Sequence, residues 1–379
     1  MGTHMKTPTR WVAALLFLAS VLTLSGAVAA TVYTGDTIEG KKVISQLDID
    51  DLAPGQIHKF LFKGVEMGTG QHWYVPVMVA KGAKNGKRLL LVSGVHGDEL
   101  NPIAAVQKVF AELDPSKLSG AVIGVIGSSR PGVEHTTRGW LWMDLGHSQI
   151  NPNRTWPGIE NGNTVQRHSW LLMNRLIKGN VDIGVDIHTG GNGIAFGLFA
   201  FTNNKDKESQ QLTKLFPLDQ IYLFPSTGGS LSAALVAAGI PAFTLELGGP
   251  RSLDQDMVNA GVKGVENVFS YYKMQDRPMG ETAIDRNVFI GNELVDMFAE
   301  NSGFTELFVK IDDMVTKGQK VAVQKNAFGE IVHEYISPTD GRVAIIGTDY
   351  VRERGVDVVS ILANSDKCKD GSCEYTGDE

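Results

Sequence analysis

The stretch Ser93-Gly94-Val95-His96-Gly97-Asp98-Glu99 puts an imidazole and two carboxylates within one turn of chain, directly after the apolar run Leu89 to Val92. A ring nitrogen and a carboxylate oxygen three residues apart can be aimed at one divalent cation, and Gly94 and Gly97 permit the tight backbone path this requires. Two ligands do not hold an ion. A third is offered by His188, at the end of the apolar segment Val185-Asp186-Ile187-His188, which runs on into Thr189-Gly190-Gly191. Two histidines and one carboxylate form a catalytic zinc set with a position left open for water. His96, Glu99 and His188 are therefore the candidate ligands of one Zn2+ per chain. Asp98 competes with Glu99, because spacing alone does not choose between them. A lone His-x-x-Glu is common; the weight comes from two such motifs, each at the carboxyl end of an expected strand and each beside glycines, facing one crevice.

Hydrolysis at such a centre needs a base that takes a proton from water and delivers it to the leaving group. Thr244-Leu245-Glu246-Leu247-Gly248-Gly249 supplies one: Glu246 stands inside an apolar strand, where a charge is costly unless paired or functional. Burial there raises a carboxylate pKa toward working pH. Substrate recognition points to Arg138 and to Arg154 in the run Ile150 to Gly158. One guanidinium can grip a carboxylate with paired hydrogen bonds, while another polarises the scissile carbonyl. Trp140, Trp142 and Trp156 in the same region suit a binding wall. A non-catalytic carboxylate-binding protein is the competing class, but it needs neither an open metal position nor a buried base.

These residues need a scaffold, and the hydrophobic pattern provides it. Strand-like segments are His58 to Phe62, His72 to Val79, Arg88 to Gly94, Ala121 to Gly127, Val181 to Ile187 and Ala242 to Leu247. Helical spacing runs over Pro102 to Leu113, Val165 to Ile177, Ser230 to Ala238 and Gln255 to Tyr272. The alternation predicts an α/β fold: a mixed, mostly parallel sheet with helices on both faces. The pattern breaks at Asp276 to Gly280, and short strands follow at Val309 to Ile311, Lys320 to Val323, Gly329 to Val332, Arg342 to Ile346 and Val356 to Val359. That is a small C-terminal all-β module. The expected division is 1–29 for leader sequence, 30–276 for the catalytic domain, 277–365 for the β domain and 366–379 for a polar tail.

Met1 to His4 read as an expression scar before Met5. Lys6, Arg10, the apolar run Trp11 to Leu24 and the small residues ending Ala27-Val28-Ala29 then have the layout of a secretory signal peptide. The expectation is an exported protein, periplasmic or secreted, without stable membrane insertion once cleaved. With 35 basic and 42 acidic residues the chain carries a net charge of −7, and loss of Lys6 and Arg10 with the leader makes it more acidic. That balance argues against nucleic acid and anionic membrane surfaces as partners. Cys368 and Cys373 stand together in the tail, where an oxidising compartment would let them close a small loop.

Taken together, the motifs resemble the succinylglutamate desuccinylase/aspartoacylase family, within the zinc carboxypeptidase superfamily. His96-Gly97-Asp98-Glu99 resembles its first metal motif, Asp186-Ile187-His188-Thr189 the second, and Glu246-Leu247-Gly248 its catalytic glutamate segment, in the same order. Asn153-Arg154 resembles the substrate-binding Asn-Arg pair, and Pro131 with Arg138 the segment that bears the carbonyl-polarising arginine. The resemblance implies Glu99 rather than Asp98 as ligand, Arg138 at the oxyanion, and Asn153 and Arg154 on the substrate carboxylate. It also implies a small carboxylate-bearing N-acyl amino acid as substrate, with a carboxypeptidase acting on short or cell-wall peptides as the alternative. A homo-oligomer is compatible with it. The family commonly reads Asp-Leu-Asn-Arg where this chain has Asn151-Pro152-Asn153-Arg154. Gly318-Gln319 with Pro338 to Gly341 resembles a biotinyl or lipoyl carrier barrel without a carrier lysine, which implies a structural lid or dimer element.

Overall fold

A computed structural model describes residues 1–2, 30–141, 149–225 and 228–365. The leader, Trp142 and both cysteines lie outside the described residues.

The frame is an 11-stranded sheet. Its strands in chain order are β1 (Val32–Ile38), β2 (Lys41–Gln46), β3 (Gln56–Glu66), β4 (His72–Lys81), β5 (Lys84–Ser93), β6 (Ser119–Val125), β7 (Ile183–His188), β8 (Leu198–Asn203), β9 (Gln220–Phe224), β10 (Ala242–Leu247) and β11 (Phe289–Gly291). The spatial order is β1-β2-β3-β4-β6-β5-β7-β10-β8-β9-β11. The central run β6-β5-β7-β10 is wholly parallel, and antiparallel neighbours lie to either side of it. The mixed, mostly parallel sheet expected from the alternation is present.

Helices cover both faces because the central strands are apolar on both. Leu89 and Leu91 of β5 join a core with Val106, Val109 and Phe110 of α1 (Asn101–Glu112), while Leu90 and Val92 join a second core on the opposite face. Side chains alternate across a strand, so a continuous apolar run must be buried twice. The remaining helices are α2 (Arg130–His135), α3 (Thr164–Leu171), α4 (Lys207–Lys214), α5 (Leu231–Ala237) and α6 (Gln255–Tyr271). Asn163 and Gln166 form a reciprocal capping box at the start of α3, and Asp254 caps α6. The helical run expected from Val165 to Ile177 is α3 continued through a wider turn over Leu172–Ile177.

Beyond β11 the chain forms two small sheets. One joins Glu293–Phe298, Gly341–Gly347 and Asp357–Ala363 to Ile194–Phe196, which comes from the loop after His188. The module is thus hydrogen-bonded to the segment leaving β7. Gln220, buried in β9, donates from Nε2 to Asp312 Oδ1 (2.7 Å) and to the Val343 carbonyl (2.8 Å), tying the two parts together. Val309 to Ile311, expected as a strand, is not one. The chain turns there: Lys310 N donates to Asp313 Oδ2, and Asp312 takes a positive φ of 72°. The apolar residues at these positions reflect burial of Val309, not strand pairing.

His168 on α3 is buried against Trp140, with Nε2 donating to the Ser128 carbonyl at 3.0 Å and Nδ1 without a hydrogen-bond partner among the described residues. Burial lowers its pKa to about 4, against a partial opposing effect of that hydrogen bond. The unfolded chain then binds this proton more readily than the folded one between an ordinary histidine pKa and pH 4, so stability falls as pH falls through that window. A shift of this size corresponds to about 3 kcal/mol. Chemical denaturation at pH 7 and pH 4.5 should show His168→Gln losing less stability on acidification than wild type; equal losses would refute the role.

Candidate active site

The turn after β5 carries His96 and Glu99, and β7 ends on His188, so neighbouring parallel strands deliver both histidines to one edge of the sheet. Gly94, at φ 64°, opens that turn; a Cβ there would stand 2.6 Å from the Cα of Gly127. The Glu99 carboxylate lies between the two rings, with Oε1 2.7 Å from His96 Nδ1 and Oε2 2.7 Å from His188 Nδ1. One donor atom from each of the three falls within 4.8 Å of the others, and all three residues are buried. Asp98 turns away: its Oδ2 accepts from the Asn192 amide at 3.0 Å, and it braces the loop after β7.

The outer ring nitrogens are held as well. Asn151 Oδ1 accepts from the Asn153 amide, which fixes its orientation, and lies 2.8 Å from His96 Nε2. Nε2 of His96 is thus held by Asn151, and Nδ1 faces the Glu99 carboxylate. His188 Nε2 stands 2.9 Å from Asp186 Oδ1. Carboxylate and amide partners behind a histidine fix its tautomer and raise its basicity as a ligand. Asp186 lies two residues before His188 on one strand, and alternation puts both on one face. That spacing is visible in the sequence, but spacing alone assigns the carboxylate no role.

The electrostatics suit a cation. Burial alone would raise the Glu99 pKa, yet the charges and hydrogen bonds of His96 and His188 outweigh it and hold the carboxylate ionised. Burial would lower the pKa of His188, but the charges of Asp186 and Glu99 drive it well above the ordinary histidine value. The negative surroundings that favour a proton on His188 favour a metal cation at the same place. Two imidazole nitrogens and a carboxylate, each backed by a polar partner, fit zinc. Asp186→Asn keeps the shape but removes the charge behind His188. It should weaken zinc affinity about 10- to 100-fold in a competition titration with a chelator; unchanged affinity would count against Nδ1 ligation.

Glu246 of β10 is in direct register with His188 of β7. It is 6% exposed, and its Oε2 has no hydrogen-bond partner among the described residues. Burial pushes its pKa well above the carboxylate range, with Glu99 and Asp186 adding to the rise and His188 and Arg138 opposing it. An unpartnered carboxylate beside the ligand cluster is costly to keep and suited to moving protons. Arg138 reaches the same cluster, with Nη1 2.8 Å from Glu99 Oε1. Its guanidinium lies close against Gly191, where a Cβ would come within 2.5 Å of Nη1 and make the arginine shift.

Of the two residues expected at the substrate carboxylate, Asn153 has its side chain engaged within the protein and Arg154 has its side chain exposed. Asn153 is buried, its Nδ2 donating to Asp186 Oδ2 at 3.2 Å and its Oδ1 accepting from the Leu231 amide at 2.9 Å. Its amide is spent on supporting the His188 side of the cluster and not held open for a carboxylate. Arg154 is exposed, with Nη1 on the Asn153 carbonyl at 2.9 Å, and can turn to an anion. Trp140 and Trp156 are buried in the protein core and do not form an open wall.

The chain is similar in sequence and in fold to known proteins. Residues 85–272 match the family model of the succinylglutamate desuccinylase/aspartoacylase catalytic domain. The N-alpha-acetyl-L-2,4-diaminobutyric acid deacetylase of Halomonas elongata is 27% identical over 290 residues, covering 71% of this chain and 80% of that protein. Among solved structures, the product-bound ectoine utilization protein EutE (DoeB) of Ruegeria pomeroyi superposes with a TM-score of 0.73 at 21% identity, covering 84% of this chain and 97% of that one. A succinylglutamate desuccinylase/aspartoacylase from Rhodobacter sphaeroides gives 0.72 at 21% identity, covering 84% and 98%.

Proposed function

Through residues 85–272 the chain belongs to the succinylglutamate desuccinylase/aspartoacylase family, and on that footing we propose that it is a zinc-dependent hydrolase that cleaves the amide bond of an N-acylated amino acid. The observation that carries the reading is the convergence of His96, Glu99 and His188 with the unpartnered Glu246 in register beside His188. A bound zinc ion would supply Lewis acidity to the scissile carbonyl and make water a nucleophile at neutral pH.

The chain's own residues do the rest. Glu246 accepts a proton from the attacking water and passes it to the departing amine nitrogen, which must leave as a neutral amine. Arg138 offers its N–H groups to the carbonyl oxygen as negative charge grows there. Arg154 takes the substrate carboxylate, and a guanidinium is the group best shaped to grip it through two oxygens. Asn151, Asn153 and Asp186 hold the histidines in place. The deacetylase relative makes N-acetyl-2,4-diaminobutyrate the first compound to assay, with N-succinylglutamate and a set of dipeptides beside it. Release of a free amino acid from an N-acyl compound but not from dipeptides is expected. Turnover of dipeptides alone would move the chain to the carboxypeptidase reading.

We further propose that the enzyme works outside the cytoplasm, on the strength of the leader sequence. N-terminal sequencing of protein recovered from a bacterial host should find a chain starting near Ala30 or Thr31, and retention of Met5 would contradict export by cleavage. Among the described residues, no helix is long and apolar enough to cross a membrane.

A further inference from the structure

A concave feature with a volume of about 730 Å³ lies away from the ligand cluster, between the ends of β2 and β3 and the helix α3. That is within the size range of small-molecule sites. Lys63, Arg167 and Arg175 line it, and none of the three has a carboxylate within 4 Å among the described residues. In a chain whose net charge is −7, three cations left without carboxylate partners in one groove run against the overall balance. The one carboxylate in the lining, Glu66, is turned toward His72, 3.8 Å from its Nε2.

The arginines are held in position by uncharged groups. Arg175 donates from Nη1 to Gln46 Oε1 at 2.9 Å and lies over the Trp170 ring, 5.5 Å from its centroid. Arg167 donates from Nη1 to the Glu160 carbonyl at 3.0 Å. Such contacts orient a guanidinium without neutralising it, and its remaining N–H groups stay available to planar oxyanions. Like charges gathered in a cleft repel one another and concentrate positive potential, a cost that a bound anion relieves.

We propose that this groove binds a small organic or inorganic ligand carrying two or more negative charges, at a site separate from the catalytic cluster. The buried side chains of Val65, Trp140 and Val165 form a packed cluster beside it, between the groove residue Val65 and the segment that bears Arg138. The shared chemistry is the oxyanion, carboxylate or phosphate.

Titration calorimetry of the zinc-loaded protein at low ionic strength, with propane-1,2,3-tricarboxylate in one arm and inorganic phosphate in the other, tests this. The comparison variant is Arg167→Gln with Arg175→Gln, and Lys108→Gln with Lys117→Gln, two lysines outside the groove, is the control for the two charges lost. Binding in at least one arm should weaken about tenfold or more in the double variant and hold in the control. The responding arm identifies the ligand as a polycarboxylate or a phosphate. Hydrolase KM and kcat should stay as in wild type, and hydrogen exchange should show ligand-dependent protection near Lys63 and Arg167. Absence of binding in both arms, or equal affinity in wild type and double variant with the fold intact by circular dichroism, would overturn the proposal.

Discussion

Glu246→Gln should lower kcat by about 10²- to 10⁴-fold while leaving zinc content and KM close to wild type. Glutamine keeps the size and one oxygen of the side chain but cannot accept and return a proton. Because Glu246 sits beside His188 in strand register and outside the ligand set, its loss should not release the metal. The stability effect should run the other way. The carboxylate is 6% exposed with an unpartnered oxygen, so replacing it with a neutral amide removes a desolvation cost and should leave the protein at least as stable to heat. Steady-state kinetics, metal analysis and a thermal melt on one preparation check all three. Unchanged turnover with metal bound would remove Glu246 from the mechanism.

Arg138→Ala should cost about 10²- to 10³-fold in kcat, the size of effect seen when one donor to a developing oxyanion is removed. Arg138 lies 2.8 Å from Glu99 and is partly open to solvent, so it can meet both the cluster and an incoming substrate. Arg138→Lys should recover little, because a point charge on a flexible stem does not reproduce a planar fork held over Gly191. The split between parameters is the informative part. A loss confined to KM would mean that Arg138, and not Arg154, grips the substrate carboxylate, and the two arginines would have to exchange places in the mechanism.

Much of the architecture could be read from residue patterns, for identifiable reasons. Leu89 to Val92 is a continuous apolar run because its strand is buried on both faces, and Val181 to Ile187 and Ala242 to Leu247 are apolar apart from Asp182, Asp186, Thr244 and Glu246, so all three are hard to mistake for solvated segments. The site histidines could be found because each stands where a strand ends and glycines begin. Less visible was Leu198–Asn203, which joins β10 antiparallel inside a mostly parallel sheet and shows no alternation to mark it. Asn153 shows a different limit. A motif can say that an asparagine belongs to the site, but only the hydrogen bonds to Asp186 and Leu231 show its amide committed to the metal side of the pocket. Trp140 and Trp156 show the converse, since aromatic residues in a segment with little regular structure can still be core residues: Trp140 stands on a two-residue strand and Trp156 on a single bridge to Gly229, and both are buried.

Everything proposed for the reaction depends on one cation held by His96, Glu99 and His188. Elemental analysis of protein purified without added metal and dialysed against metal-free buffer measures this directly, with Glu99→Ala prepared alongside. The wild type should retain close to one zinc per chain and the variant almost none, with hydrolysis lost in step. A wild-type protein that holds no divalent metal and still hydrolyses its substrate after chelation would contradict the proposal.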